Sequence, residues 1–218
     1  MEDEERHLEE QAKRTKLLLL NDTALPLGSF AFSSGLESSV QHASVDLLQY
    51  LRLSLLNLKQ STMPFLVKAF ENGRDSDGEL DELFDSTVTC DVLRRASVAQ
   101  GRAFATVSAR ALHMPLKLLH YHYCIVHGQI YSLLGLRLEE CIHAFLLSHT
   151  KGIVSASVRL GIVGPYRAQE ILFSNELLEW MRKSALHIPA VEDAASAWPW
   201  GDVVQSRHTL LYSRVFNS

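Results

Sequence analysis

The sequence predicts an all-α fold, and three observations carry that reading. Apolar residues recur at helical spacing along most of the chain. Strict apolar/polar alternation over six or more residues is scarce, and the hairpin dipeptides Asn-Gly and Asp-Gly occur only at Asn72-Gly73 and Asp77-Gly78, around a polar loop. The prolines fall between the periodic segments and punctuate them. A length of 218 residues fits one domain, or at most two small ones, and is enough to bury a core without disulfides or a structural metal.

From the N-terminus, residues 1–14 hold six acids against three bases and form an acidic head expected to be flexible. Next comes a Gly/Phe-rich turn with Pro26, Gly28, Phe30, Phe32 and Gly35, whose plain reading is a tight turn with its phenylalanines in the core. Leu47, Leu48, Leu51, Leu55 and Leu58 mark a helix. Pro64 and Pro115 suit first-turn positions or kinks. Residues 71–85 carry seven acids and one Arg, and 86–117 carry five bases and one Asp, which fits a helical pair of opposed charge. Leu118 to Leu136 lacks charged residues but contains His120, His122, His127 and Gln129, so it reads as a buried or half-buried helix, not a membrane span. Leu138, Cys141, Ile142, Phe145, Leu146 and His149 continue the pattern, as do Ala168, Ile171, Leu172, Leu178 and Met181 after a start at Pro165. Pro189 and Pro199 bracket the end of the helical body. One all-helical domain over 15–188 is therefore expected, followed by a connector and an apolar-basic tail over 189–218. Such a tail either docks on its own domain or orders on a partner.

Charge and motifs narrow the function. Lys+Arg is 21 against 25 for Asp+Glu, so the net charge of -4 offers no general attraction to nucleic acid or anionic membrane. The acidic start matches neither a secretory signal nor an Arg-rich mitochondrial presequence. Cys90, Cys124 and Cys141 are odd in number with no C-x-x-C, which fits free thiols and a reducing, cytoplasmic location. There is no phosphate-cradling G-x-x-x-x-G-K-[ST], no G-x-G-x-x-G, no G-x-S-x-G and no H-E-x-x-H, so no catalytic residue is assigned and none of the common enzyme signatures is present. His120, Cys124 and His127 stand at i, i+4 and i+7, one face of a continuous helix, and imidazole plus thiolate suits zinc, nickel or copper. The competing reading is a helix of packed, hydrogen-bonded histidines. No firm metal site follows, and a nickel-carrying chaperone using these three residues is the alternative function.

The wording of several segments resembles the urease accessory protein F (UreF) family. Leu20-Asn21-Asp22-Thr23-Ala24-Leu25-Pro26-Leu27-Gly28-Ser29-Phe30-Ala31-Phe32-Ser33-Ser34-Gly35-Leu36-Glu37 is similar to its opening S-D-S-x-L-P-x-G-G-F-x-H-S-x-G-L-E. Asp81-Glu82-Leu83 with Arg94, Arg95 and Gln100-Gly101-Arg102, then His122-Tyr123 with Gly128 and Gly135, follow in the family's order. Ser155-Ala156-Ser157-Val158-Arg159-Leu160 resembles S-A-A-V-R-L, and Arg207-His208 through Ser218 resembles the terminal R-H-E-x-L-x-x-R-L-F-x-S. Ser29, Phe32 and Thr209 depart from the family's Gly, His and Glu, and Gly164-Pro165-Tyr166 looks like eukaryotic members.

The resemblance implies an all-helical, usually dimeric, non-catalytic scaffold for nickel insertion into apo-urease. It would join UreD (UreH) and recruit or regulate the GTPase UreG, with GTP bound by UreG, nickel as cargo and no cofactor of its own. Pro26, Gly28, Phe30, Gly35 and Glu37 would shape a surface near the dimer or UreG contact. Arg159 would lie at a partner or dimer interface. Arg207, His208, Leu211, Tyr212, Arg214 and Phe216 would form the tail that orders on UreD. An arginine reaching toward a γ-phosphate, if UreG is regulated that way, would come from Arg94, Arg95, Arg102, Arg159 or Arg214.

Overall fold

The computed structural model describes residues 2–42, 45–73 and 78–217. It is built from α-helices, and no strand occurs among the described residues. In chain order these are α1 (Glu2–Leu20), α2 (Leu36–His42), α3 (Leu47–Ser61), α4 (Met63–Asn72), α5 (Glu79–Thr87), α6 (Asp91–Ala111), α7 (Tyr123–Leu133), α8 (Leu138–Arg159), α9 (Pro165–Leu172), α10 (Asn175–Ser184) and α11 (Pro199–Ser206). Asp77, one of the hairpin-type dipeptide residues, lies outside the described residues.

The core is organised around α7. Cys124 through Tyr131 are all buried, so this helix has no solvent face. Helices α4, α6 and α8 surround it. Gly128 shows how closely α4 approaches. A Cβ there would stand 2.5 Å from the Leu66 carbonyl oxygen and 2.9 Å from the Phe70 nitrogen. The backbones are in direct contact, and any side chain at 128 must push the helices apart.

Local signals explain most helix boundaries. The Asp46 carboxylate accepts hydrogen bonds from Leu48 N and Gln49 N and starts α3. Pro64, Pro165 and Pro199 occupy first turns, where their missing N–H costs nothing. Glu140 returns to the Arg137 backbone N–H at 2.8 Å and closes the start of α8.

Four sequence expectations need correction. Pro115 lies in an irregular, non-helical segment between α6 and α7, not in a first turn. The uncharged run from Leu118 becomes helical only at Tyr123. The periodic run over 168–181 is two helices, because Ser174 accepts a hydrogen bond from Leu177 N and starts α10 anew. Phe30 is 71% exposed, so it is not a core residue. In addition, α1 runs unbroken across residue 14, and α11 lies beyond Pro199, packed on α2 and α6.

Candidate functional site

The opening turn, the C-terminal end of α8 and the chain terminus meet at one carboxylate. Glu37, in the first turn of α2, is 1% exposed. Its Oε2 accepts a hydrogen bond from His208 Nε2 at 2.9 Å and from Phe216 N at 3.1 Å, and its Oε1 accepts one from Val215 N at 2.6 Å. Asn217 N donates to the Ala31 carbonyl at 2.8 Å, and Ser38 Oγ donates to Val204 O at 2.5 Å. A buried carboxylate is costly unless its lone pairs are used, and here three donors use them. Phe216 is buried, and the Arg159 guanidinium lies 4.0 Å from its ring centroid in a cation–π contact.

The turn that delivers Glu37 depends on Gly35. Its φ is +83°, and a Cβ there would stand 3.1 Å from Tyr50 Oη and 3.2 Å from Gln205 Cβ. Glycine meets both demands. Ser29 enters a short 3-10 turn over Ser29–Ala31, and the positive φ beside it falls on Gly28, so a glycine at position 29 is not needed.

Arg159 also borders a groove of about 560 Å³ between the opening turn, α8 and α9. Leu25, Pro26, Leu27, Val158 and Leu172 give it apolar walls, and Lys151 and Arg159 give it cationic ones. Gly28 and Phe30 line it too. The predicted residues therefore divide. Glu37 holds His208 and Phe216, and Arg159 joins them through the Phe216 ring, while Pro26, Gly28 and Phe30 belong to the groove that Arg159 also borders. Gly35 supports the first group. Arg207, Tyr212 and Arg214 are exposed and Leu211 is half-buried.

The histidine segment is arranged differently from its sequence spacing. His120 precedes α7 and does not share a helix face with Cys124 and His127. Instead, Asp81 of α5 captures the segment. Its Oδ2 accepts from His120 N at 2.7 Å and Tyr121 N at 2.9 Å, and its Oδ1 accepts from His122 N at 2.9 Å. His122 Nε2 donates to Asp85 at 2.9 Å, and its Nδ1 lies 3.1 Å from Ser97 Oγ. Burial lowers the His122 pKa and outweighs the pull of Asp85. Burial raises the Asp85 carboxyl, but the hydrogen bonds from His122 and Arg94 leave it below its usual range. Arg94 is thus tied to Asp85.

Cys124 and His127 are buried. Burial pushes the Cys124 thiol up and pulls His127 down to about 3. His127 stacks on Tyr131 at 4.2 Å, and its Nε2 donates to Cys141 O at 3.2 Å. A thiol held protonated is a poor ligand. Among the described residues no group of three or more His, Cys, Asp or Glu side chains is placed to hold a metal ion.

Asp85 and Ser97 were not singled out by sequence reasoning, and Asp81 entered only as family-like wording with no role assigned. A signal for Asp81 existed: it stands at helical spacing with buried Phe84 and Val88, so an acid is turned toward the core.

These features define a class: an all-helical protein whose opening turn, long eighth helix and terminus converge on one buried carboxylate. Comparison with known proteins identifies its family. The model of the UreF family matches residues 42–176. A urease accessory protein UreF-like chain of Schizosaccharomyces pombe is 33% identical over 226 residues, covering 92% of this chain and 95% of that one. Urease accessory protein F of Arabidopsis thaliana is 29% identical, covering 91% and 90%. Urease accessory protein UreF of Trichodesmium erythraeum is 26% identical, covering 94% and 97%. The chain belongs to the UreF family.

Proposed function

We propose that this protein is a cytoplasmic, non-catalytic urease accessory scaffold. It joins UreD (UreH), recruits or regulates the GTPase UreG, and so supports nickel insertion into apo-urease as a homodimer. Its relatives' names support the accessory role. The observation that carries the scaffold reading is the convergence at Glu37. Three family-like segments, far apart in sequence, are joined there by direct contacts. The tail exposes large apolar side chains there at Leu210, Tyr212 and Val215, and Phe30 is exposed at the neighbouring groove; such residue types anchor protein interfaces.

The docked tail fits a segment that reads a partner. Its inner side is held by Glu37, and its outer side is free for a second protein. UreD is the expected occupant of the tail, and UreG of the surface around Pro26, Gly28 and Phe30.

The test is reconstitution of apo-urease at fixed UreD, UreG, nickel, GTP and bicarbonate. Urease activation that requires this protein, and UreD co-purification lost when residues 207–218 are deleted, are the expected results. Equal activation without the protein would remove the accessory role. Unchanged UreD binding by the truncated chain would remove the tail assignment.

A further inference from the structure

Helix α6 carries a second surface that the preceding reading does not use. From Val92 to Leu138 the chain has Arg94, Arg95, Arg102, Arg110, Lys117 and Arg137 and no Asp or Glu, although the whole protein is net acidic. Arg94 and Arg137 are paired, to Asp85 and Glu140. Arg95, Arg102 and Arg110 are exposed and have no ion pair or side-chain hydrogen bond among the described residues. Several other helix cations have an acid one turn away, as in Lys13–Glu9, Arg167–Glu170 and Arg182–Glu179.

The three arginines share one face. At 100° per residue they fall within about 80° of each other, with exposed Ala99 and Thr106 inside that arc and exposed Ala109 at its edge. The opposite face holds Phe104, Ala105 and Ser108 against the core. The arginines span about 22 Å of helix, in steps of seven and eight residues. Small residues fill the gaps, so another helix could approach to roughly 8–10 Å between axes without a steric block. No aromatic side chain lies on this face to stack on a base, and the overall charge of -4 opposes polyanions at long range.

We propose that the outer face of α6 docks an acidic helix of a partner protein. The partner's carboxylates would recur at about two-turn intervals and meet Arg95, Arg102 and Arg110 in turn. Such complementarity acts mainly on encounter rate and selectivity, and it weakens with salt.

The test uses the full-length protein and a fluorescent Ala-based helical peptide with glutamates spaced seven and then eight residues apart on one face. A control peptide of the same composition scatters those glutamates around the helix. Saturable binding of the first peptide, at least about tenfold weaker for the control, is expected. The Arg95→Glu/Arg102→Glu/Arg110→Glu variant should lose at least about tenfold, and the triple Arg→Lys variant, which keeps the charge, should retain most of the affinity. Circular dichroism melting confirms that both variants fold. Equal binding of the two peptides, or unchanged binding by the charge-reversed variant, overturns the proposal. So does tighter binding of duplex DNA or of phosphatidylserine vesicles than of the peptide. Loss of self-association in the charge-reversed variant would assign the face to a second copy of this chain and equally overturn it. Urease reconstitution is a separate readout, so failure here leaves the accessory role standing.

Discussion

Two non-helical segments of this molecule are gripped in the same way and for different ends. Asp81 holds His120–His122 through three backbone N–H groups, and Glu37 holds the tail through two backbone N–H groups and His208. Both carboxylates are almost fully buried. The surroundings differ. The Asp81 segment leads directly into α7, the centre of the core, so it cannot leave without unfolding. The Glu37 segment follows α11, anchors by Phe216 and turns Leu210, Tyr212 and Val215 to solvent, so it is expected to leave while the helices stay packed. One chemical device serves as a structural bolt in the first place and as a releasable clasp in the second.

The hardest test of this contrast is Asp81→Ala. Three buried amides lose their acceptor, each at a cost of roughly 1–3 kcal/mol. Global stability should fall by at least about 3 kcal/mol in urea denaturation. A smaller loss would mean the segment rearranges and is no bolt.

Acid separates the regions next. His127 lies in the core, and its folded pKa of about 3 is below the unfolded value of about 6.5. The unfolded state therefore binds the extra proton between those values, and stability rises with pH across that window. Stability contributed above pH 6.5 is lost as pH falls, by about 2 kcal/mol at pH 5 from this residue. His149, held down to about 4 by burial, acts in the same direction. Urea denaturation at pH 7 and pH 5 reads the loss, and His127→Gln should flatten it.

Glu37→Ala comes third. It should release the tail at a global cost of only roughly 1–2 kcal/mol. Amide exchange at Val215 and Phe216 should become fast while α7 stays protected. Fast exchange in α7 as well would show that the clasp is part of the core. The smallest effect belongs to Arg159→Ala, which removes the cation over Phe216. It should cost about 0.5–1 kcal/mol and raise tail exchange with little change in melting temperature.

Much of the helical layout was legible because helix formation leaves a local trace. The periodic leucines of α3, the prolines at first turns and the apolar run inside α8 are readable within a few turns of chain. The start of α7 was not. An uncharged stretch looks helical throughout, and only the Asp81 contacts explain why 120–122 stays non-helical up to the start of α7. The same error placed His120, Cys124 and His127 on one face. Glu37 was named from its family-like wording, but nothing local marks it as the acceptor for the tail. Ser174 was passed over as well, although a serine before an acid is a readable helix start.

The order of amino acids alone determined the helical class, most helix positions and the charge imbalance of α6, because each is set within a few neighbouring residues. Only the tertiary structure decided which buried acid meets which segment. Glu37 and Val215 are 178 positions apart. No short-range pattern encodes that pairing. It forms because burying a carboxylate is too costly until the packed helices bring it donors that nothing else has taken.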